Sequence, residues 1–436
     1  MRRLAERWFD LAGNGTTAGR EVRAGVTTFL TMAYILFVNP QILADAGMPA
    51  EDVAVATALA AAIGTALMGL WARYPIALAP GMGLNAYFAY GVVGGLGVSW
   101  QVALAAIFVE GVLLLVLAAG GMRRLVLQAI PAAVRHGAMA GIGLFLAFIG
   151  LRNGGLIEHS PATLVKLADP STPEALLTLG GLLLVATLAV RRVPGAILIG
   201  VAAASALAWA TGMASLPESW IAAPRLPRET FLAMDFSRVL EGGVLAAVAA
   251  FFFVDLLDTA GTLLGVGMLG GFVDHRGELP RANRAFAADA TATAVGACLG
   301  TSTVTSYIES ATGIEEGGRT GLTALTVAAL FLGALVFAPI FVAVPPAATA
   351  PALVVVGALM MRGAADIEWK RLDEAIPGFL CLAAMPFTFS IANGLALGIL
   401  SWVGIRALSG RAREVAPALW LLAAGLLAFV FFLEPF

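Results

Sequence analysis

Two cysteines in 436 residues, and only three histidines, set the first limits on this chain. Cys298 and Cys381 lie in separate apolar runs without metal-ligand spacing, so no disulfide framework is expected and both read as small packed hydrophobes. His136, His159 and His275 lie near loops and far apart in sequence, so no metal site is expected. Charge is scarce as well. Asp, Glu, Lys and Arg make up 12% of the chain and sum to a formal −2, which points away from nucleic acid or any other polyanion as a partner. Apolar residues fill the space: 60% of the chain is hydrophobic and the mean hydropathy is +0.90. That is more apolar surface than a soluble core of this length can bury, so an integral membrane protein is expected.

A bilayer crossing needs roughly 17 to 25 apolar residues. Candidate segments lie near 24–44, 52–72, 76–94, 101–120, 132–151, 174–190 and 194–212, then near 242–267, 285–300, 301–314, 319–343, 345–362, 374–390 and 391–408. The division expected is a cytoplasmic segment 1–23, a first repeat of seven segments 24–212, an extracytoplasmic connector 213–241, a second seven 242–408 and a C-terminal segment 409–436. Whether the apolar stretch 415–433 crosses or lies in the interface is open on hydropathy. Arg2 and Arg3 precede an apolar run as in an export signal, but the polar residues between them and the length of 25–44 favour a first spanning helix. With the N-terminus inside, 21 of the 26 basic residues fall on the cytoplasmic side; Arg152, Lys166, Arg225, Arg228 and Arg238 do not. Seven crossings per half force the second half to enter from the opposite side, so any similarity between halves is an inverted repeat.

Two segments are unlike ordinary spans. "YPIALAPGMGLNAYFAYGVVGG" places Pro75, Pro80, Gly81 and Gly83 within nine residues, which breaks helical hydrogen bonding. "GTSTVTSYIESATGIEEGG" opens on Thr and Val residues that favour extended backbone and then turns helical. They are third in their respective halves, and matched broken segments point to a transport site near the midplane, where unwound backbone offers free N–H and C=O groups.

The run "AAFFFVDLLDTAGTLLG" carries Asp255 and Asp258 on one helix face. An ionised carboxylate there costs roughly 3 kcal/mol on insertion scales, so such acids usually face a cavity and serve function. Glu309 follows the extended start of segment ten, and Glu110 inside segment four is a lesser candidate, with a helix-packing role equally open. Segments eight, nine and ten hold no Lys or Arg. Each acid must then be protonated, hydrogen-bonded to neighbours such as Thr259, Thr262, Thr303 and Ser306, or bound to a ligand or cation. Desolvation favours a neutral carboxyl, which is the chemistry of a proton-coupled carrier.

The stretches "NGTTAGREVRAGVTTFLTMAYILFVNPQIL", "APGMGLNAYFAY", "FFFVDLLDTAGTLLG", "TSTVTSYIESATGIEEGGRTGLTAL" and "FSIANGLALGI" resemble the AzgA-like purine permeases, a branch of the nucleobase:cation symporter-2 superfamily. The resemblance covers nearly the whole chain. It implies an all-α polytopic protein of the uracil-permease fold, with two inverted repeats of seven segments, the third and tenth discontinuous, and a substrate-holding core that moves against a gate. It also implies proton-driven uptake of adenine, guanine or hypoxanthine across a bacterial plasma membrane, without cofactor or catalysis, and suggests a homodimer. By the same resemblance Asp255 binds the substrate, Asp258 is a second functional acid, Glu309 is the acid of segment ten, Asn85 is the polar residue of segment three, and Phe88 and Tyr307 lie beside the base. A purine has N–H donors and acceptors on its edges, and a carboxylate can accept two parallel N–H bonds from such an edge. Asp255 or Glu309 is therefore expected to grip the donor edge, Asn85 and the backbone near Thr303–Ser306 to read other edges, and Asp258 to carry the proton.

Other motifs carry less. "GIEEGGRT", 313–320, nearly matches a phosphate-binding loop, but Arg319 replaces the lysine and Glu315 and Glu316 repel phosphate. "GVGMLGG", 265–271, lacks a strand–helix–strand setting and reads as close helix packing or a loop. "DIEWKRLDEA", 366–375, is expected to be a membrane-surface helix. An intramembrane aspartyl hydrolase also needs two acids, but it resembles a pattern with them on separate helices, and "GMGLNA" has Leu84 and no Asp. Anion exchange on the same fold would favour a positive site instead of three acids.

Overall fold

The computed structural model describes residues 6, 8–120, 130–275 and 279–432. In hydrocarbon a backbone has only itself to bond with, so long apolar runs become helices. The first half holds α1 (Ala18–Met32), α2 (Ile35–Ala44), α3 (Ala50–Leu67, continued by a wider turn to Ala72), the strand β1 (Leu78–Pro80), α4 (Met82–Ala86, continued to Gly94) and α5 (Trp100–Ala119). It continues with α6 (Ala132–Asn153), the strands β2 (Ile157–Ser160) and β3 (Leu164–Leu167), α7 (Pro173–Val190) and α8 (Ala196–Ala210). The second half holds α9 (Gly242–Leu269), α10 (Ala282–Leu299), β4 (Val304–Ser306), α11 (Ser310–Glu315), α12 (Gly321–Ala334) and α13 (Ala338–Ala343). It ends with α14 (Pro346–Met360), α15 (Leu372–Thr388), α16 (Ile391–Leu408) and α17 (Pro417–Phe432).

Among the described residues nine helical stretches are long and apolar enough to cross a membrane. The other expected crossings are α8, with 15 residues, α15, with 17, the acid-bearing α10, and the two broken segments. The stretch whose role hydropathy left open forms α17, packed on α16. Two local features depart from expectation. The loop after α6 carries the β2–β3 hairpin, pairing Glu158 with Lys166. Residues 366–375 are not one surface helix: a tight turn ends at Asp366, Ile367 is extended, and α15 starts only at Leu372. Trp369 donates its indole N–H back to the Ala364 carbonyl at 2.8 Å, and Arg371 bonds the Glu368 and Asp373 carboxylates, which folds the charges into a turn.

The broken segments meet each other. β1 and β4 pair antiparallel, with Leu78 opposite Ser306, Ala79 opposite Thr305 and Pro80 opposite Val304. All six residues are buried, so every backbone group there needs a partner. The same device serves both strands. Thr65 on α3 donates to the Leu78 carbonyl at 2.9 Å and accepts the Leu78 N–H at 2.9 Å. Thr293 on α10 donates to the Val304 carbonyl at 2.8 Å and accepts the Val304 N–H at 3.2 Å.

Helices pack chiefly in two groups. One joins α1, α3, α5, α9, α10 and α12; the other joins α6, α7, α8, α14, α15 and α16. In the second group α6 and α14 touch backbone to backbone: a Cβ on Gly357 would stand 2.3 Å from the Gly143 carbonyl oxygen. Such close approach replaces the hydrophobic effect as the source of cohesion between helices in lipid.

Candidate functional site

The 28-residue α9 carries Asp255 and Asp258 toward the β1–β4 crossing. Asp255 is fully buried, and Thr259, one turn further along, lies 3.4 Å from its Oδ1. Thr259 Oγ1 also approaches Asp289 Oδ2 on α10 at 2.9 Å and Thr305 Oγ1 on β4 at 2.9 Å. Thr305 in turn reaches Asp258 Oδ2 at 3.3 Å, and Ser306 donates to Asp289 Oδ1 at 2.7 Å. From α5, Glu110 stands within hydrogen-bond reach of Asp255 and accepts from Thr303 Oγ1 at 3.4 Å. Four acids from three helices thus surround one short strand.

A count of hydrogens decides what this cluster can do. Thr259, Thr303, Thr305 and Ser306 each own one hydroxyl hydrogen, whereas the carboxyls of Glu110, Asp255, Asp258 and Asp289 offer eight acceptor oxygens. Glu110 Oε1 and Asp255 Oδ2 are buried without a donor. Ion pairs form elsewhere, as between Arg225 and Asp52 at 2.6 Å or Arg406 and Asp373 at 3.2 Å, and none reaches the cluster among the described residues. Acids in this position need hydrogens or a hydrogen-bond-donating ligand.

Of the residues singled out in the sequence, Asp255, Asp258, Thr259, Thr303 and Ser306 come together here, with the lesser candidate Glu110. Glu309 stands apart from their hydrogen bonds: it accepts from the Tyr34 hydroxyl at 2.5 Å, and Tyr307 donates to the Pro80 carbonyl at 2.5 Å. Asn85 accepts from Ser302 through Oδ1, and its Nδ2 is buried without an acceptor. Phe88 is fully buried. Thr262 is buried with no hydrogen bond to the acids. A cavity of about 30 Å³, room for about two waters, lies between Gly81, Gly83 and Asp258 on one side and Ala138, Ile142 and Met360 on the other. Of the expected substrate- and proton-binding residues Asp258 lines it, beside Gly81 and Gly83 of the broken segment three.

Sequence reasoning missed Asp289. The signal is an acid within the Ala-rich run "FAADATATAVGACLG", which small side chains make less conspicuous than the acids in the Phe- and Leu-rich run of segment eight. Glu110, the lesser candidate from sequence, is brought by the fold beside Asp255 and Thr303.

Comparison with known proteins agrees with this architecture. Residues 19–397 match the Permease family, Xan_ur_permease. The chain is 43% identical over 416 residues to the guanine/hypoxanthine permease PbuO of Bacillus subtilis, covering 94% of this chain and 96% of that protein. It is 41% identical over 420 residues to the adenine permease AdeP of Escherichia coli, covering 96% and 94%. In three dimensions it resembles the transmembrane domain of the cyanobacterial bicarbonate transporter BicA, with a TM-score of 0.66 at 16% identity, over 87% of this chain and 97% of that one. At that identity the likeness shows the fold alone.

Proposed function

The chain belongs to the Permease family, and from that premise we propose that it is a proton-coupled symporter that imports purine nucleobases by alternating access. It is a multi-pass membrane permease and not an enzyme, which disposes of the hydrolase alternative. Relatives that carry guanine, hypoxanthine or adenine, each matched over nearly the whole chain, support a purine cargo.

The observation that carries the reading is the buried acid cluster, with more acceptor oxygens than hydrogens and no basic partner among the described residues. A purine edge supplies N–H donors in one plane, and a proton supplies the rest. In our reading Asp255 or Glu309 grips the donor edge, while Asn85 and the backbone of Thr303–Ser306 read the others. Phe88 and Tyr307 stack beside the base. Asp258, on the cavity wall, passes the proton inward through Thr305 and Thr259 toward Asp255, Glu110 and Asp289. Coupled acids this close titrate as a set.

The cavity lies between the two helix groups, so a rocking of α6 and α14 against α9 and the strands would open it. The paired roles of Thr65 and Thr293 fit two inverted repeats of seven; a cytoplasmic N-terminus rests on the bias of basic residues toward one set of loops, and a bacterial plasma membrane on the family resemblance. Proteoliposomes test the proposal. Labelled hypoxanthine or adenine should accumulate when the outside is made acidic and should stop accumulating when the gradient is collapsed. Accumulation indifferent to the gradient would remove the proton from the mechanism, and no uptake of any purine would remove the cargo.

A further inference from the structure

On the face that carries the N-terminal segment, arginines from three separate parts of the chain meet at one cavity of about 210 Å³, lined by Arg73, Arg281, Arg319, Trp8, Asp10 and Thr320 among others. Arg73 follows the last turn of the second crossing and holds a left-handed backbone with φ 57°, which non-glycine residues seldom adopt. Its guanidinium lies over the Trp8 ring at 5.5 Å. Arg281 caps α10 and lies over the Tyr74 ring at 4.7 Å, while its backbone N–H meets the Tyr74 hydroxyl at 3.3 Å. Arg319 spends Nη1 on the Ile314 and Gly318 carbonyls, at 2.7 and 2.8 Å.

Two of the three cations are thus held by aromatic faces and the third by carbonyls, and none forms an ion pair among the described residues. The obvious local counter-charge is already used. Glu21 accepts from the Arg319 N–H at 2.9 Å, the Thr320 N–H at 3.1 Å and the Thr323 hydroxyl at 2.7 Å, so its carboxylate caps α12. Among the described residues Asp10 is the single carboxylate on the wall, against three guanidiniums. A general bias of basic residues toward one membrane face would scatter arginines over its loops. It does not explain their convergence on a polar cavity with aromatic supports.

We propose that this cavity binds a phosphate group, presented by an anionic lipid headgroup or free in solution. Guanidinium forks match phosphate oxygens in pairs, and stacking on Trp8 and Tyr74 holds two forks in place before the anion arrives. Trp8 is 56% exposed, as an aromatic at headgroup level would be. The site shares no residue with the acid cluster and is independent of the purine reading.

The full chain in nanodiscs of phosphatidylcholine, with and without phosphatidylglycerol, is melted with inorganic phosphate or chloride at equal ionic strength. Phosphate, phosphatidylglycerol or both should raise the Tm. A rise with the lipid alone identifies a headgroup site; a rise with inorganic phosphate in neutral discs identifies a soluble ligand. The Arg281→Gln/Arg319→Gln variant should need about tenfold more of either to reach the same shift, as expected for lost charge-assisted bonds. Asp10→Asn, which removes the opposing charge, should need less. No rise with either probe overturns the proposal, as does an equal rise in the double variant; should that variant fail to fold, an unchanged response in Asp10→Asn does the same. The hypoxanthine-induced Tm shift, measured on the same samples, reports the purine site separately.

Discussion

At Glu110 Oε1 and Asp255 Oδ2 two buried carboxyl oxygens have no hydrogen to accept unless a proton or a ligand brings one. Removing either side chain therefore tests different things. Asp255→Ala deletes a gripping group, and purine binding is expected to weaken on the order of 100-fold, the worth of a charge-assisted pair of bonds; equilibrium binding to the purified, inserted variant would check this. Wild-type affinity would move the grip elsewhere. Glu110→Gln and Asp289→Asn keep the shape and remove a titrating group. Each is expected to lower gradient-driven accumulation more than purine exchange across liposomes at equal pH. If both activities fall together, these residues hold the fold and not the proton. The acids of α9 and segment ten could be named from sequence because a carboxylate is conspicuous in an apolar run. Which acids touch could not, because Glu110 is 145 residues from Asp255 and meets it only through the packing of α5 on α9.

The elements that place these side chains are short, and their stability is borrowed. β1 and β4 have three residues each, too few to persist alone, and hold because neighbouring helices satisfy what the pairing leaves over. Thr65→Val or Thr293→Val should leave a buried N–H and carbonyl unpaired, at about 1–3 kcal/mol. The check is a lower Tm in detergent with loss of purine binding; Thr→Ser, which keeps the hydroxyl, should restore most of both. The broken character of segments three and ten was readable, since Pro and Gly interrupt one and Thr and Val open the other. Their register was not, because strands from opposite halves choose partners only when the halves come together.

For the molecule as a whole, the proposed alternating access requires one helix group to move against the other while each stays rigid. The contact of Gly357 with the Gly143 carbonyl makes the α6–α14 group one body. Gly357→Leu should force the two helices apart and destabilise the protein by about 1–3 kcal/mol, the range for overpacking, seen as a lower Tm. A variant that melts like the wild type would show that this contact is slack. Collapsing the pH gradient on the wild type should abolish accumulation while exchange of labelled for unlabelled purine continues, since exchange needs the rocking motion but no net proton flow.

Composition and apolar run length determined by themselves that the chain lies in a membrane, roughly where it crosses and which two crossings are broken. Those are one-dimensional properties of transfer from water to hydrocarbon and of helix-breaking residues. Tertiary structure alone decided that Asp289 and Glu110 join the acids of α9, that Glu309 is held by Tyr34 and stands outside their hydrogen bonds, and that three arginines far apart in sequence share a cavity. A hydrogen bond or a charge pair depends on distance in space, and packing sets that distance.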